Sequence, residues 1–335
     1  MKKVIKKLIF RTVQYFPSNF QNWIVRKIKK KNAGFYSQII NELLRNYIAR
    51  TDFDNLDVSK MPTCNIESLE WDYQLFNMAF VVNVLRNIVY CLYNGFRPVV
   101  MFHYSQNKSN LWEEFLEQPF FSVCSANEKD KEIVCDVQGS FLQFPVNPTK
   151  LDIEIFSKLY KVFVVPNKKT REYIQREYKT LLDGKRVLGV LVRGTDYVAG
   201  KPKWHPVQPE VSEVLEDVRR IMEKRKYDAI YLATEELAIQ EQFKKAFPEK
   251  IIINKRKYFD SYYDIKKVNK DALISAVHFE RENDNYYKGL EYFSSIVLLS
   301  KCTALIAGNC GGSRAALYMN DNAYEYVYLY DKGIY

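Results

Sequence analysis

Arg193 and Asp196 stand out chemically, because they directly follow an apolar run. Residues 187–192 read Val-Leu-Gly-Val-Leu-Val, which predicts a buried strand. An arginine at the end of such a strand is costly unless an anion meets it, and a guanidinium matches phosphate oxygens with a planar fork of donors. We therefore predict that Arg193, with Thr195 beside it, binds a diphosphate and stabilises it as a leaving group. The alternative is a turn in which Arg193 pairs only with Asp196.

A second polar group follows the predicted strand at residues 229–233 and consists of Thr234, Glu235 and Glu236. Carboxylates at this place can accept the paired donors of a guanine base or the hydroxyls of a ribose. A purely structural interpretation is also open, in which Thr234 caps a helix and the glutamates occupy its first turn. Both interpretations can hold together.

A glycine-rich turn follows the predicted strand at residues 303–307. Residues 308–313 read Gly-Asn-Cys-Gly-Gly-Ser, and small residues allow a ligand to approach the backbone closely. The helix that follows presents free amide groups, so this turn predicts a phosphate site. The candidate binding residues here are Asn309, Gly311, Gly312 and Ser313.

Two histidines are candidates for ligand contacts. His205 precedes a proline in a polar loop and is predicted to contact a phosphate or a sugar of the bound nucleotide, although a histidine in such a loop is more often simply exposed. His103 follows an apolar strand at residues 98–102. Because ligands bind beyond the carboxyl ends of such strands, we predict that His103 contacts the acceptor, the second substrate of the reaction.

These residues require a sheet that brings strand ends together. Strands predicted at 187–192, 229–233, 251–254, 303–307 and 325–330 alternate with helical patterns at 210–225, 237–247, 286–301 and 313–320. This alternation predicts a doubly wound, mostly parallel sheet, whose ligands bind beyond the carboxyl ends of the strands.

The earlier part of the chain also reads as α/β. An apolar helix at 73–94 leads to a strand at 97–102, and residues 150–182 are helical with a break at Pro166. The turn at 183–186 marks a boundary. We predict a basic arm at 1–32, an acceptor-side α/β domain at 33–183 and a nucleotide-binding, Rossmann-like domain at 184–335.

The net charge of +10 comes from the start of the chain. Residues 1–32 hold ten lysines and arginines and no acidic residue, so the remainder is neutral. A neutral body disfavours nucleic-acid binding, whereas the amphipathic arm at 1–31 predicts contact with an anionic membrane surface. A helix packed on the protein itself is equally consistent with the arm.

No metal, cofactor or disulfide is expected. The six cysteines form no Cys-x-x-Cys pair, and the one Asp-x-Asp, at residues 52–54, lies away from the strand ends. Without a secretion signal, the predicted compartment is the cytoplasm, with possible peripheral binding to the inner face of the membrane.

The three strand-end segments resemble the donor-binding motifs of the α1,6-fucosyltransferase, nodulation fucosyltransferase and protein O-fucosyltransferase group. The first motif of that group reads His-x-Arg-x-x-Asp followed by aromatic-His-Pro, and residues 191–196 and 204–206 match it, except that Leu191 replaces the histidine. Residues 233–236 resemble the group's Ala-Thr-Asp-Asp, and residues 299–313 resemble its third motif.

The resemblance implies a GT-B fold, with two Rossmann-like domains facing a cleft. It also implies GDP-fucose as the donor substrate, with Arg193 binding the diphosphate. Glu236 is the first candidate for recognising guanine or ribose, and Glu235 is the second. The expected reaction is an inverting, metal-independent transfer to a saccharide acceptor in surface polysaccharide or glycan synthesis. Lys201 stands where the α1,6 enzymes carry a glutamate proposed as base, so Asp196 becomes the first candidate for that role.

Two other functions remain open. The glutamate pair departs from the group's aspartate pair, which allows a UDP-sugar or dTDP-sugar as the donor. Because Lys201 replaces the glutamate proposed as base, the chain is also consistent with a non-catalytic protein that binds a nucleotide or a carbohydrate within a membrane assembly.

Overall fold

The structure is a computed structural model of the chain. It describes residues 33–67, 75–102, 109–120, 142–270, 272 and 274–335. The predicted basic arm at 1–32 and the predicted acceptor contact His103 lie outside these residues.

The chain divides into two compact units, each built from separate stretches of sequence. The first unit's described residues are 33–67, 80–102, 109–120, 142–144 and 158–165. The second unit's are 75–79, 145–157, 166–270, 272 and 274–335. The domain boundary near residue 183 stays a prediction.

Helices and strands alternate through most of the described chain, as expected for a mixed α/β protein. They are α1 Ala33–Arg50, β1 Thr63–Ile66, α2 Met78–Tyr93, β2 Arg97–Val100, α3 Lys150–Phe163, α4 Lys168–Leu181, β3 Val187–Leu191, α5 Thr195–Ala199, α6 Val211–Arg225, β4 Ala229–Ala233, α7 Leu237–Ala246, β5 Ile251–Ile252, α8 Tyr262–Val268, α9 Asp284–Ser300, β6 Ala304–Gly308, α10 Gly311–Asn320 and β7 Tyr326–Tyr330. A 3-10 helix, Ile274–Ala276, lies between α8 and α9.

The first unit contains a two-stranded parallel sheet, in which Thr63 of β1 lies opposite Arg97 of β2. Its core is aromatic: the Phe80 ring packs edge-on against Phe102, with centroids 5.2 Å apart, and against Trp112 at 6.2 Å. All three side chains are buried.

The second unit is organised around a five-stranded parallel sheet in the order β5-β4-β3-β6-β7. The chain begins in the middle at β3, moves outward through β4 to β5, and returns to β6 on the other side of β3. Every residue of β3, β4 and β6 is buried, as expected for a sheet covered on both faces. The strand order reverses between β3 and β6, and ligands of such sheets bind at this point.

The sequence predicts this sheet well. The strand at 229–233 is observed at the same residues, and the other four predicted strands differ by one or two residues at their ends. The mostly parallel arrangement is confirmed. The short helices α5 and α8 are absent from the prediction, because helices of five and seven residues offer too few turns for apolar periodicity.

Gly189, in the middle of β3, provides a test of how tightly α9 packs on the sheet. A Cβ at this position would lie 2.8 Å from Leu299 Cδ1 and 3.1 Å from Cys302 Cβ. We expect Gly189→Ala to lower the free energy of unfolding by about 1–3 kcal/mol, because overpacking forces neighbours to shift. The control is Val327→Ala on the edge strand β7, where the side chain is 40% exposed and the expected change is below about 0.5 kcal/mol. Equal unfolding midpoints in urea for the two variants would contradict this packing.

Candidate functional site

The carboxyl ends of the central strands open onto a cavity of about 250 Å³ in the second unit. Its walls come from residues 75–79, from the loops after β3, β4 and β5, from the 3-10 helix, from α9 and from the start of α10. The cavity thus lies where the strand order reverses. The charged side chains that line it are Arg193, Asp196, Glu235, Arg256, Lys288 and Glu291.

Arg193 lines this cavity. Its Nη2 donates to Asp196 Oδ1 over 2.6 Å, and its Nε lies 3.4 Å from Glu235 Oε1. The guanidinium also stacks over the Tyr197 ring at 4.7 Å. Burial opposes the charged form, but the carboxylates of Glu235 and Asp196 outweigh it and raise the pKa of Arg193. The turn pair with Asp196 is therefore present, and it holds the guanidinium at the cavity wall.

The two glutamates after β4 hold the loop after β3. Glu235 Oε1 accepts a hydrogen bond from the Gly194 amide at 2.9 Å and from the Thr195 hydroxyl at 3.1 Å. Glu236 Oε1 accepts from the Thr195 amide and from the Tyr263 hydroxyl. Both glutamates are more than nine-tenths buried. Because β3 and β4 are neighbours, these bonds join the ends of two adjacent strands.

Glu235 is the one of the two glutamates that lines the cavity. Its second oxygen, Oε2, makes no hydrogen bond within the described residues, so this oxygen is available to a ligand. Glu236, Thr195 and Thr234 are buried and do not line the cavity. Their predicted contacts with a nucleotide stay predictions.

The helix α7 is not capped in the way that the sequence allows. It begins at Leu237, with Glu236 as the N-cap residue and no acidic residue in its first turn. The Leu237 amide donates to the Asp260 carboxylate at 3.1 and 3.2 Å. Capping by Thr234 is therefore wrong, since Thr234 Oγ1 instead accepts from the Glu236 amide at 3.4 Å. The actual cap lies 23 residues away, where no local pattern reveals it.

The helix α10 begins at the cavity, and its first residues, Gly311 and Gly312, line the wall. Cys310 is the N-cap: its amide donates to Ser313 Oγ at 2.9 Å, and the Ser313 hydroxyl donates to the Cys310 carbonyl at 3.1 Å. Ser313 thus closes the helix start. The first amides of a helix have no partner in a preceding turn, so those of Gly311 and Gly312 make an anion-binding terminus.

Asn309 is buried beside this turn and does not line the cavity. Its Nδ2 donates to the Val146 carbonyl at 2.9 Å and to Asn147 Oδ1 at 2.6 Å. Its Oδ1 accepts from Arg314 Nη1 at 3.1 Å. Asn309 therefore fixes the turn, and its predicted contact with a donor substrate stays a prediction.

Asp196 and His205 both line the cavity. Asp196 Oδ1 accepts from Arg193 and lies 3.1 Å from the Thr195 hydroxyl, whose one proton is shared between this oxygen and Glu235 Oε1. Asp196 Oδ2 makes no hydrogen bond within the described residues. The His205 ring packs edge-on against Tyr197 at 5.4 Å, and its Nδ1 lies 3.1 Å from the Lys203 carbonyl oxygen. In the neutral tautomer that carries its proton on Nδ1, the ring donates a hydrogen bond to that carbonyl oxygen, and Nε2 can accept one.

The loop that carries His205 is tied to the end of the chain. The Trp204 amide donates to the Tyr335 carbonyl at 3.2 Å, and the Tyr335 amide donates to the His205 carbonyl at 3.0 Å. Lys201 lies on the same loop, is exposed and does not line the cavity.

Several cavity residues are missing from the sequence prediction, and the clearest is Arg256. It lies four residues after β5, so the strand-end rule that selects Arg193 applies to it as well. Lys288 and Glu291 are harder to find, because α9 reads as a buried apolar helix and nothing local marks the face that they occupy.

Lys288 and Glu291 belong to an ion-pair network on α9. Lys288 Nζ donates to the Val277 carbonyl at 2.9 Å and lies 3.2 Å from Asp284 Oδ2. Arg281 donates to both oxygens of Glu291 and, over 2.8 Å, to Asp284 Oδ1. Burial acts to raise the pKa of Asp284, but the bonds from Arg281 and from the Phe279 amide, together with the charge of Lys288, outweigh burial and lower that pKa. Lys288 and Glu291 are thus already paired.

Two features are not found among the residues that the structure describes. No group of three side chains there could hold a metal ion. No helix in the described ranges is long and apolar enough to cross a membrane.

The cavity therefore combines two kinds of binding group. Arg193 and the amino terminus of α10 can hold and stabilise an anion such as a phosphate. The free oxygens of Glu235 and Asp196 can accept hydrogen bonds or a proton.

The sequence matches no protein-family model and no curated protein. The chain is similar to solved structures of NodZ α1,6-fucosyltransferase soaked with GDP-fucose (14% identity, 77% of this chain, 92% of that chain, TM-score 0.45) and of fucosyltransferase NodZ from Bradyrhizobium (13%, 76%, 92%, TM-score 0.43). It is also similar to POFUT1 in complex with GDP-fucose (9%, 85%, 78%, TM-score 0.37).

These solved structures come from the group of enzymes that the strand-end motifs resemble.

Gly194 offers a test of the bonding between the β3 and β4 loops. A Cβ at Gly194 would overlap the Glu236 carboxylate. We expect Gly194→Ala to destabilise the fold by about 1–3 kcal/mol. Glu236→Ala removes the obstruction, so the double variant should be more stable than the sum of the single changes by about 0.5–3 kcal/mol. Urea unfolding of the wild type and the three variants measures this coupling, and additive effects would contradict the observed contact.

Proposed function

We propose that this chain is a glycosyltransferase that moves fucose from GDP-fucose onto a saccharide acceptor in surface polysaccharide or glycan synthesis. The observation that carries the proposal is that Arg193 and the first residues of α10 line one cavity at the reversal of the strand order. The proposed transfer needs no metal and inverts the configuration of the anomeric carbon.

Two separate positive elements support a diphosphate at this end of the cavity. The guanidinium follows β3 and the helix terminus follows β6, and these strands are adjacent in the sheet. A planar fork of donors suits a diphosphate, and a helix amino terminus attracts an anion through its free amides and dipole.

Glu235, Phe259 and Ile274 support a nucleoside at the same cavity, since all three line it. Apolar side chains suit the faces of a base, while the free Glu235 oxygen can accept from guanine or from ribose hydroxyls. The similarity of residues 233–236 to Ala-Thr-Asp-Asp supports guanine.

The proposed reaction is a direct displacement. The acceptor oxygen forms a bond to the anomeric carbon, and the bond from that carbon to the diphosphate breaks with its electron pair on the leaving oxygen. Arg193 and the α10 terminus stabilise the charge that develops there. Asp196 Oδ2, which has no hydrogen bond within the described residues, accepts the proton of the acceptor hydroxyl.

The remaining parts of the proposal rest on sequence alone. His103 contacts the saccharide acceptor. The reaction uses no cofactor besides the donor substrate. The basic residues 1–31 bind an anionic membrane surface.

Arg193 provides the first test. We expect Arg193→Ala to slow turnover of GDP-fucose by about 100- to 1,000-fold, because a preorganised cation at the leaving group is lost. Arg193→Lys keeps the positive charge but not the paired donors of the guanidinium, so its turnover should fall less than that of Arg193→Ala. The assay is GDP release, and thermal melting checks the fold, since the alanine leaves Glu235 without its cation. The control is Arg220→Ala on α6, an exposed arginine paired with Asp217. Unchanged turnover in Arg193→Ala would refute the proposed role.

The identity of the base is a separate prediction. We expect GDP to raise the stability of the wild-type protein by about 2.7 kcal/mol at 100 times its dissociation constant. UDP and dTDP at the same concentration should raise it much less, because they lack the paired donors of guanine. Thermal-shift titration with the three nucleotides measures this. A larger shift with UDP or dTDP would be consistent with a transferase but would contradict GDP-fucose as its donor.

A further inference from the structure

One of the cations that line the cavity has no carboxylate partner among the described residues. Three lining side chains are cationic and three are anionic. Arg193 lies against two carboxylates, those of Asp196 and Glu235, and Lys288 is paired with Asp284. A diphosphate therefore meets little uncompensated positive charge from these two residues.

Arg256 is the exception. It is half-buried, and its guanidinium makes no hydrogen bond or ion pair with any residue in the described part of the chain. Its Nε is fully buried without a partner. The described residues therefore leave the positive charge of this cavity-lining guanidinium without a counter-charge, which suits it to an anionic ligand.

The backbone around Arg256 is held firmly, although its side chain is not. Asn254 Nδ2 donates to the Glu291 carbonyl at 3.0 Å, and the Lys257 amide donates to Glu291 Oε2 at 3.1 Å. The Phe259 amide donates to the Glu235 carbonyl at 2.8 Å. The loop is thus fixed to α9 and to the end of β4, so the backbone of Arg256 has a set place beside the cavity before any ligand arrives.

We propose that Arg256 is the second cation of the nucleotide site and binds the diphosphate together with Arg193. This inference rests on the proposed function. Arg193 stays shared with Glu235 and Asp196, while Arg256 supplies the charge that the diphosphate requires. A guanidinium fits this task because it offers paired donors to phosphate oxygens and remains charged.

The experiment compares three ligands in the full-length protein by calorimetric titration: GDP, inorganic pyrophosphate and guanosine. Pyrophosphate isolates the anion, and guanosine isolates the base and ribose. The variants are Arg256→Gln, which keeps the shape and removes the charge, and Arg256→Lys, which keeps the charge. The matched control is Arg176→Gln, because Arg176 is exposed on α4 and lines a neighbouring cavity that Arg256 also borders, but not the candidate site.

We expect Arg256→Gln to weaken GDP and pyrophosphate binding by roughly 10- to 100-fold, as for a lost charged hydrogen bond. Guanosine has no phosphate for Arg256 to bind, so its affinity should change by less than about twofold. Arg256→Lys should recover part of the loss, and Arg176→Gln should bind like the wild type. If guanosine binding is too weak to measure, the pyrophosphate titration alone decides.

Two results would overturn the inference while leaving the proposed function intact. One is unchanged GDP and pyrophosphate binding in Arg256→Gln. The other is an equal loss for guanosine, which would place Arg256 on the base or ribose. If the wild-type protein binds no nucleoside diphosphate, the proposed function fails, and this inference fails with it.

Discussion

The ion-pair cluster of Arg193, Asp196 and Glu235 is the interaction on which the rest of the site depends. It places a guanidinium at the end of β3, where the central strand of the sheet meets the cavity. Removing such a charge from water is costly, and the two carboxylates offset that cost in the absence of a ligand. The same carboxylate of Glu235 also holds the Gly194 amide, so one side chain fixes both the charge and the loop that carries it.

The order of the strands explains why this cluster lies beside the start of α10. Since β3 pairs with both β4 and β6, the loops that follow these strands emerge next to one another. Residues from distant parts of the sequence thereby share one cavity without any long insertion. The topology thus brings together Arg193 and Asp196 from the loop after β3, Glu235 from the loop after β4, and the amides of α10 from the segment after β6.

Much of the second unit can be read from its sequence, because buried parallel strands are short apolar runs and amphipathic helices repeat at a helical period. Arg193, Asp196, Glu235, Gly311 and Gly312 were predictable as cavity residues for the same reason, since each follows such a run. Asn309 and Ser313 share that position, yet their side chains bond to the protein itself. Which way a side chain turns after a strand depends on neighbours that are remote in sequence.

The sequence by itself therefore determined the sheet, its parallel direction and three of the segments that line the cavity, those after β3, β4 and β6, because local hydrophobic patterns encode these features. Only the tertiary structure decided which side chains bind to one another and which remain free. Asp260, rather than Thr234, caps α7, and Glu236 accepts a hydrogen bond from the loop after β3. Arg256 has no counter-charge among the described residues. Such pairings form between segments brought together by folding, and local patterns carry no record of them.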